Sequence, residues 1–291
     1  MTAALAVDLG GTNMRAAMFS GDVAALQNLA QEGAPANRSD FVGRLSALAR
    51  EAGSVNAIGI AVPGLVEGTT CRWIPNLPYL DGLDLTAEFP DLRVALGNDA
   101  QIALLAEAKA GAASGMSDAI LLSIGTGIGS AVLANRTIVA GAHGGACSFG
   151  WAAADENDPG DERSGWLERV ASGRALDAIA ARLGLSGGAS LIAAARQGDP
   201  SAGAALEPPC RHLGTALAGA VAMLDPQAII IAGGVAEALD VLGPPILAEL
   251  RSRLPAHLRG IELHPGRFGT RAALVGAALA GAAGPEWRRL Q

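Results

Sequence analysis

A short apolar strand that runs into a glycine turn and back out as a second strand occurs twice in this chain. LAVDLGGTNMRAAMF spans 5–19 and ILLSIGTGIGSAVLA spans 120–134. Both segments read as hairpins, with aliphatic runs on either side of the turn. Glycines leave backbone N–H groups uncovered, so each turn is sized for a phosphate. Two such turns describe a duplicated nucleotide-binding fold, although an ordinary tight hairpin also fits either segment alone.

Strands and helices alternate along the rest of the chain, the pattern of an α/β protein. Apolar positions at Phe41, Leu45, Leu48 and Ala49 predict a helix over 41–52. A buried strand is expected at 57–62, stopped by Pro63–Gly64. The stretch 65–92, with Pro75, Pro78 and Pro90, reads as loop. A short strand at 94–96 and a helix over 100–113 follow. After the second hairpin, the acidic run 152–165 reads as a solvated loop, and helices are expected at 167–183, 189–197 and 211–224. A strand at 228–232 closes on Gly233–Gly234, and a helix of small residues occupies 271–283. The length of 291 residues suits two domains sharing a cleft.

Charge narrows the partners. The net charge of −7 argues against nucleic acid, which demands basic patches. No apolar run reaches the length of a bilayer span, and no secretory leader is read at the start, so a cytoplasmic protein that does not contact a membrane is expected. Lys109 is the sole lysine and lies in a helical stretch, so no lysine serves a GK[ST] phosphate loop. Cys71, Cys147 and Cys210 are far apart and form no CxxC pair.

Four segments carry candidate chemistry. In Asp8-Leu9-Gly10-Gly11-Thr12-Asn13 the glycines free amide donors, Thr12 adds a hydroxyl, and Asp8 at the strand end is a candidate Mg²⁺ ligand. Gly125-Thr126-Gly127-Ile128-Gly129 offers a second anion turn, without the GxGxxG spacing of a dinucleotide site. Asn98-Asp99 joins a strand to a helix. There Asp99 suits a base for a bound hydroxyl and Asn98 suits a sugar hydroxyl, while both also suit a helix N-cap. Pro63-Gly64 and Pro75-Asn76-Leu77-Pro78 read as rigid turns, or as plain loop punctuation.

In this order, these segments resemble the ROK family (repressors, open reading frames and sugar kinases). DLGGTNMR at 8–15 and GTGIG at 125–129 are similar to its two phosphate motifs. IGIAVPGLVEG and IPNLP, between 58 and 78, are similar to its sugar-domain motif, which holds Gly64 and Asn76. LGNDA at 96–100 puts the family's catalytic Asp on Asp99, and IIIAGGV at 229–235 puts its adenosine-side turn on Gly233 and Gly234. The resemblance implies an actin-like, hexokinase-type (ribonuclease H-like) fold of two α/β domains around a central cleft. It divides the chain into 1–112 with 271–291, and 113–270. It also implies MgATP as donor, a hexose or hexose-like sugar as acceptor, and a homodimer.

The chain departs from the family between 141 and 168. Ser148 stands where a sugar-binding Glu is usual, and Trp151 stands in place of a His that contacts sugar and zinc. Pro159, Asp161 and Trp166 replace three zinc-binding cysteines, while Glu168 keeps the last sugar-binding carboxylate. One His143 and one Cys147 cannot supply a four-ligand structural site, so no zinc is expected. Trp151 and Trp166 are expected to fill the lost volume as an apolar plug, with stacking of Trp151 on a sugar ring as the alternative. The Ser148 substitution points away from plain glucose, toward an amino sugar, a deoxy sugar or a cyclitol. Three rivals remain: a catalytically weak sugar-binding regulator, a repressor, and an NAD-dependent Rossmann enzyme. A repressor needs a helix-turn-helix segment ahead of the strand at residue 3, and the Rossmann reading lacks its fingerprint.

Overall fold

A computed structural model describes residues 3–53 and 55–290. The chain opens with β1 (Ala4–Leu9), β2 (Asn13–Phe19), β3 (Gln27–Gly33), α1 (Arg38–Glu51) and β4 (Ala57–Val62). A small hairpin of β5 (Leu65–Glu67) and β6 (Thr70–Trp73) follows, then α2 (Leu85–Glu88), β7 (Arg93–Asn98) and α3 (Asp99–Ala110). The next elements are β8 (Ala119–Ile124), β9 (Ile128–Ala134), β10 (Thr137–Ile138), α4 (Trp166–Ala171), α5 (Gly173–Arg182) and α6 (Gly188–Arg196). Last come α7 (Pro200–Leu224), β11 (Ala228–Ala232), α8 (Leu239–Ser252), β12 (Leu263–Pro265) and α9 (Ala272–Ala283).

Two compact units result. The first takes Met1–Gly115, Arg136–Ala146 and Arg271–Gln291; the second takes Met116–Asn135 and Cys147–Thr270. The segment 136–146, read from sequence as part of the second domain, therefore groups with the first. There Ile138 donates to the Arg288 carbonyl, and Gly144 lies against the Val66 backbone.

The first unit is built on a sheet of order β3-β2-β1-β4-β7, with β1, β4 and β7 parallel. These three strands are buried almost throughout, so polarity does not alternate; side-chain size does. Leu5, Val7, Leu9, Ile58, Ile60, Val62, Val94 and Leu96 share a core cluster with Phe41, Leu45 and Leu48 of α1. The intervening positions are small: Ala4, Ala6, Ala57, Gly59, Ala61, Ala95 and Gly97. That surface receives α9, closely enough that a Cβ on Gly59 would lie 1.9 Å from the Ala277 carbonyl oxygen. On α9 itself, a Cβ at Gly276 would lie 1.8 Å from the Ile102 carbonyl oxygen of α3.

The second unit repeats the plan. Its sheet runs β9-β8-β11-β12, with β8 and β9 antiparallel and β8, β11 and β12 parallel. Each unit thus opens with a hairpin closed by a glycine turn, and adds parallel strands beside the hairpin's first strand. Helices α4 to α8 complete the second unit. Among the described residues, no helix is long and apolar enough to cross a membrane.

Candidate functional site

In the first unit the predicted site residues gather where the parallel strands β1, β4 and β7 end, the edge at which open α/β sheets bind ligands. Asp8 is buried near the end of β1. The hairpin register puts Arg15 directly opposite it, and Arg15 donates through Nε at 3.1 Å and a terminal nitrogen at 2.5 Å to Asp8 Oδ2. Burial raises the Asp8 pKa, against the charge and hydrogen bonds of Arg15. Arg15 carried no role in the sequence reading. Its signal was the cross-strand register, seven residues beyond Asp8.

The turn that follows is tied at its base by the Gly10 amide, which donates to the Asn13 carbonyl at 2.8 Å. Asn13 Nδ2 donates to Thr12 Oγ1 at 3.1 Å. The Gly11 and Thr12 amides find no acceptor among the described residues, and Gly11, Thr12 and Asn13 are exposed. Asn76 packs on the turn: a Cβ on Gly11 would sit 3.0 Å from the Asn76 Cβ.

Asn98 is the N-cap of α3, its Oδ1 accepting from the Ala100 amide at 3.0 Å, and its Nδ2 donates to the Gly64 carbonyl at 2.9 Å. Gly64 has φ +133°, and a Cβ there would fall 2.2 Å from the Trp73 carbonyl oxygen, so the approach requires glycine. Asp99 is the first residue of α3 and also accepts from the Ala100 amide, at 2.8 Å. The N-cap reading of the Asn98-Asp99 pair is therefore met. Asn98 and Asp99 share the Ala100 amide. Burial pushes the Asp99 carboxyl up to about 6, the Ala100 N–H opposes the rise, and the nearby Asp8 charge adds to it. Arg15 bonds one Asp8 oxygen, so the other could hold a divalent cation carried with a phosphate ligand.

The second unit carries its own cluster. The Gly125 amide donates to the Gly127 carbonyl at 3.0 Å, and the Thr126 and Gly127 amides have no acceptor among the described residues. Gly233, at φ +78° after β11, packs on the Ile124 backbone just before this turn, with Gly234 opening the next helical turn. Glu168, in the first turn of α4, accepts from the Ile128 amide at 3.0 Å. Ser148 begins a short helical turn over Phe149–Trp151, held by the Phe149 amide on Ser130 Oγ at 2.8 Å.

The expected tryptophan plug does not form. Trp166 is buried and meets His212 edge-on, ring centroids 4.8 Å apart, whereas Trp151 is 47% exposed. Gly165 packs on the Gly150–Trp151 backbone, closely enough to hold the Trp151 main chain while its indole projects outward. The segment is closed by polar contacts that the sequence reading overlooked. Arg169 donates to the Ser164 carbonyl at 2.6 Å and to both Asp158 oxygens at 2.5 and 2.7 Å, and Asp161 accepts from the Arg163 and Ser164 amides. Among the described residues, no group of three or more His, Cys, Asp and Glu could hold a metal ion.

Known proteins similar to this chain match it over nearly its whole length. A kanosamine kinase from Amycolatopsis mediterranei is 30% identical over 95% of both chains. An N-acetylmannosamine kinase from Haemophilus influenzae is 29% identical, over 94% of this chain and 93% of that one. A ROK family glucokinase from Streptomyces griseus, solved with glucose and AMPPNP, superposes with a TM-score of 0.79 at 26% identity. That match covers 97% of this chain and 100% of the other. The fold is thus the actin-like, hexokinase-type α/β fold. With the ROK family model matching residues 4–282, nearly every element described above, this chain belongs to the ROK family.

Proposed function

We propose that the protein phosphorylates a hydroxyl of a hexose or hexose-like sugar with ATP. The observation that carries this reading is Asp99, a desolvated carboxyl with pKa about 6. It follows Asn98 at the strand-end edge that also holds the Gly10–Asn13 turn. Asp99 accepts the proton of the acceptor hydroxyl, whose oxygen attacks the terminal phosphorus in line as ADP leaves. Asn98 has one N–H and one lone pair beyond its bonds to Gly64 and Ala100, enough to fix a sugar hydroxyl. The unpaired amides of Gly11, Thr12, Thr126 and Gly127 suit phosphate oxygens, and Gly233 and Gly234 suit the adenosine side. Asp8 is the residue to hold Mg²⁺ through its free oxygen, and the ion supplies neutralisation of the triphosphate.

The relatives' acceptors support a ring that is a hexose or a close analogue: kanosamine and N-acetylmannosamine in two names, glucose in the solved complex. Ser148, Trp151 and Glu168 in the second unit, and Gly64 and Asn76 in the first, are the residues assigned to choosing among such rings. Incubation with ATP and a panel of hexoses, amino sugars and cyclitols, read by mass spectrometry, is expected to yield one preferred phosphorylated sugar. ATP consumption that no sugar stimulates would remove the kinase reading.

The residues of 158–169 do not fit zinc. Asp158 and Asp161 are engaged with Arg169 and backbone amides, and Trp166 carries no ligand atom. Elemental analysis of protein purified without added metal is expected to find zinc well below one equivalent.

A further inference from the structure

Residues 167–183 read from sequence as one helix, yet the structure breaks it at Ser172 into α4 and α5. Ser172 is buried and caps α5 by accepting from the Ala175 amide. The break brings the next two residues onto the second glycine turn. The Gly173 amide donates to the Gly125 carbonyl at 2.8 Å, and a Cβ there would lie 2.5 Å from that oxygen. Arg174 then reaches the turn with its side chain. Its Nε donates to the Thr126 carbonyl at 3.2 Å, and a terminal nitrogen donates to Glu168 Oε1 at 3.0 Å. The other Glu168 oxygen accepts from the Ile128 amide at 3.0 Å. A Cβ on Gly127 would sit 2.6 Å from that same oxygen, so the carboxylate lies flat against the turn.

These contacts have one electrostatic result. The carbonyls of Gly125 and Thr126 are drawn back by donors from α5, and the Ile128 amide is fixed by Glu168. The amides that remain unpaired are those of Thr126 and Gly127. A carbonyl swung into an anion site repels the anion, whereas two aligned amides attract it. Arg174 is the only side chain bonded to both the turn's backbone and Glu168 among the described residues. Its planar fork suits that bridge, which the compact ammonium of lysine would make poorly.

We infer that Arg174 is a positioning residue: through Glu168 and the Thr126 carbonyl it holds the Gly125–Gly129 turn in its phosphate-receiving form. Glu168, proposed above as an acceptor ligand, is then also part of the nucleotide site's frame. The inference rests on the nucleotide-dependent reading of this turn.

The test is a double-mutant cycle on nucleotide affinity, measured by calorimetry with AMPPNP and Mg²⁺ and with no sugar present. R174A is expected to weaken AMPPNP about tenfold while its Tm stays close to that of the unaltered protein, and R174K is expected to recover only part of the loss. E168Q is expected to weaken AMPPNP as well, although no acceptor is there to bind. The R174A/E168Q double variant is expected to lose little more than either single one, because both act through one bridge. Fully additive losses overturn the inference, since Arg174 would then act on the phosphates directly. So does an R174A protein that binds AMPPNP normally. Should R174A fail to fold, normal AMPPNP binding by folded E168Q overturns it alone. If the unaltered protein phosphorylates no sugar but the cycle behaves as expected, the kinase reading falls and this one stands. If the unaltered protein does not bind AMPPNP, both fall.

Discussion

Asp99→Ala is expected to stay folded and to lose about 100-fold or more in turnover, because Asp8, the carboxylate whose charge reaches Asp99, is paired with Arg15. With Asp99 intact, kcat/KM is expected to rise as pH climbs through about 6, where the carboxyl becomes the base, and to level above it. The same burial has the opposite sign for stability. The folded carboxyl titrates near 6 and the unfolded one near 3.8, so the folded state holds the extra proton between them. Stability contributed by this group therefore falls as pH rises through that window. Asp99→Asn, with no charge to bury, is expected to gain in Tm over the unaltered protein at pH 8 and to gain much less at pH 4. A variant at Asp99 with near-normal turnover would strip the residue of its role, and a Tm difference that ignores pH would dispute its desolvation.

Gly276→Ala is expected to be among the most damaging small substitutions in the chain, costing more than about 4 kcal/mol. The new methyl would lie 1.8 Å from a carbonyl oxygen of α3, and backbone cannot rotate out of the way as a side chain would. Gly59→Ala meets the same obstacle from the sheet side, at 1.9 Å from the Ala277 oxygen. Gly43→Ala is the control. Nothing lies within 4 Å of a Cβ there, and the residue is inside α1, so that change is expected to stabilise by up to about 1 kcal/mol. Urea unfolding of the three variants measures the contrast. A Gly276→Ala midpoint equal to that of the unaltered protein would mean that α9 does not sit where it is described.

The parts of the fold legible in the sequence are those where one local rule dominates. Both hairpins, β4, β11 and α9 follow from apolar runs ended by glycine or proline. β3 escaped because QNLAQEG is a mostly solvated strand with no apolar alternation, and it forms only by pairing with β2. The start of α7 at Pro200, not near 211, was hidden by Pro208 and Pro209. Two prolines argue for a break, yet the buried series Ala202, Leu206, Cys210, Leu213, Leu217 and Val221 keeps helical spacing across them, and burial prevails. The loop expected over 65–92 contains the β5–β6 hairpin, too short for periodicity to register. In the candidate site, the glycine turns and the strand-to-helix junction at Asn98-Asp99 were legible because glycine and capping residues have selective backbone chemistry. Arg15 and Arg174 were not, since an arginine's partner is set by cross-strand register in one case and by a helix break in the other. Trp151 was misassigned because size and apolarity argue for burial, while the close Gly165 contact leaves its ring outside.

The contact of α9 with β1 and β4 has a consequence for biosynthesis. On the ribosome the first unit's sheet is made well before α9, the helix that covers its small-residue surface, whereas the second unit is complete by Thr270. That surface is therefore completed by a contact across more than 150 residues of intervening chain, a long-range closure that slows folding.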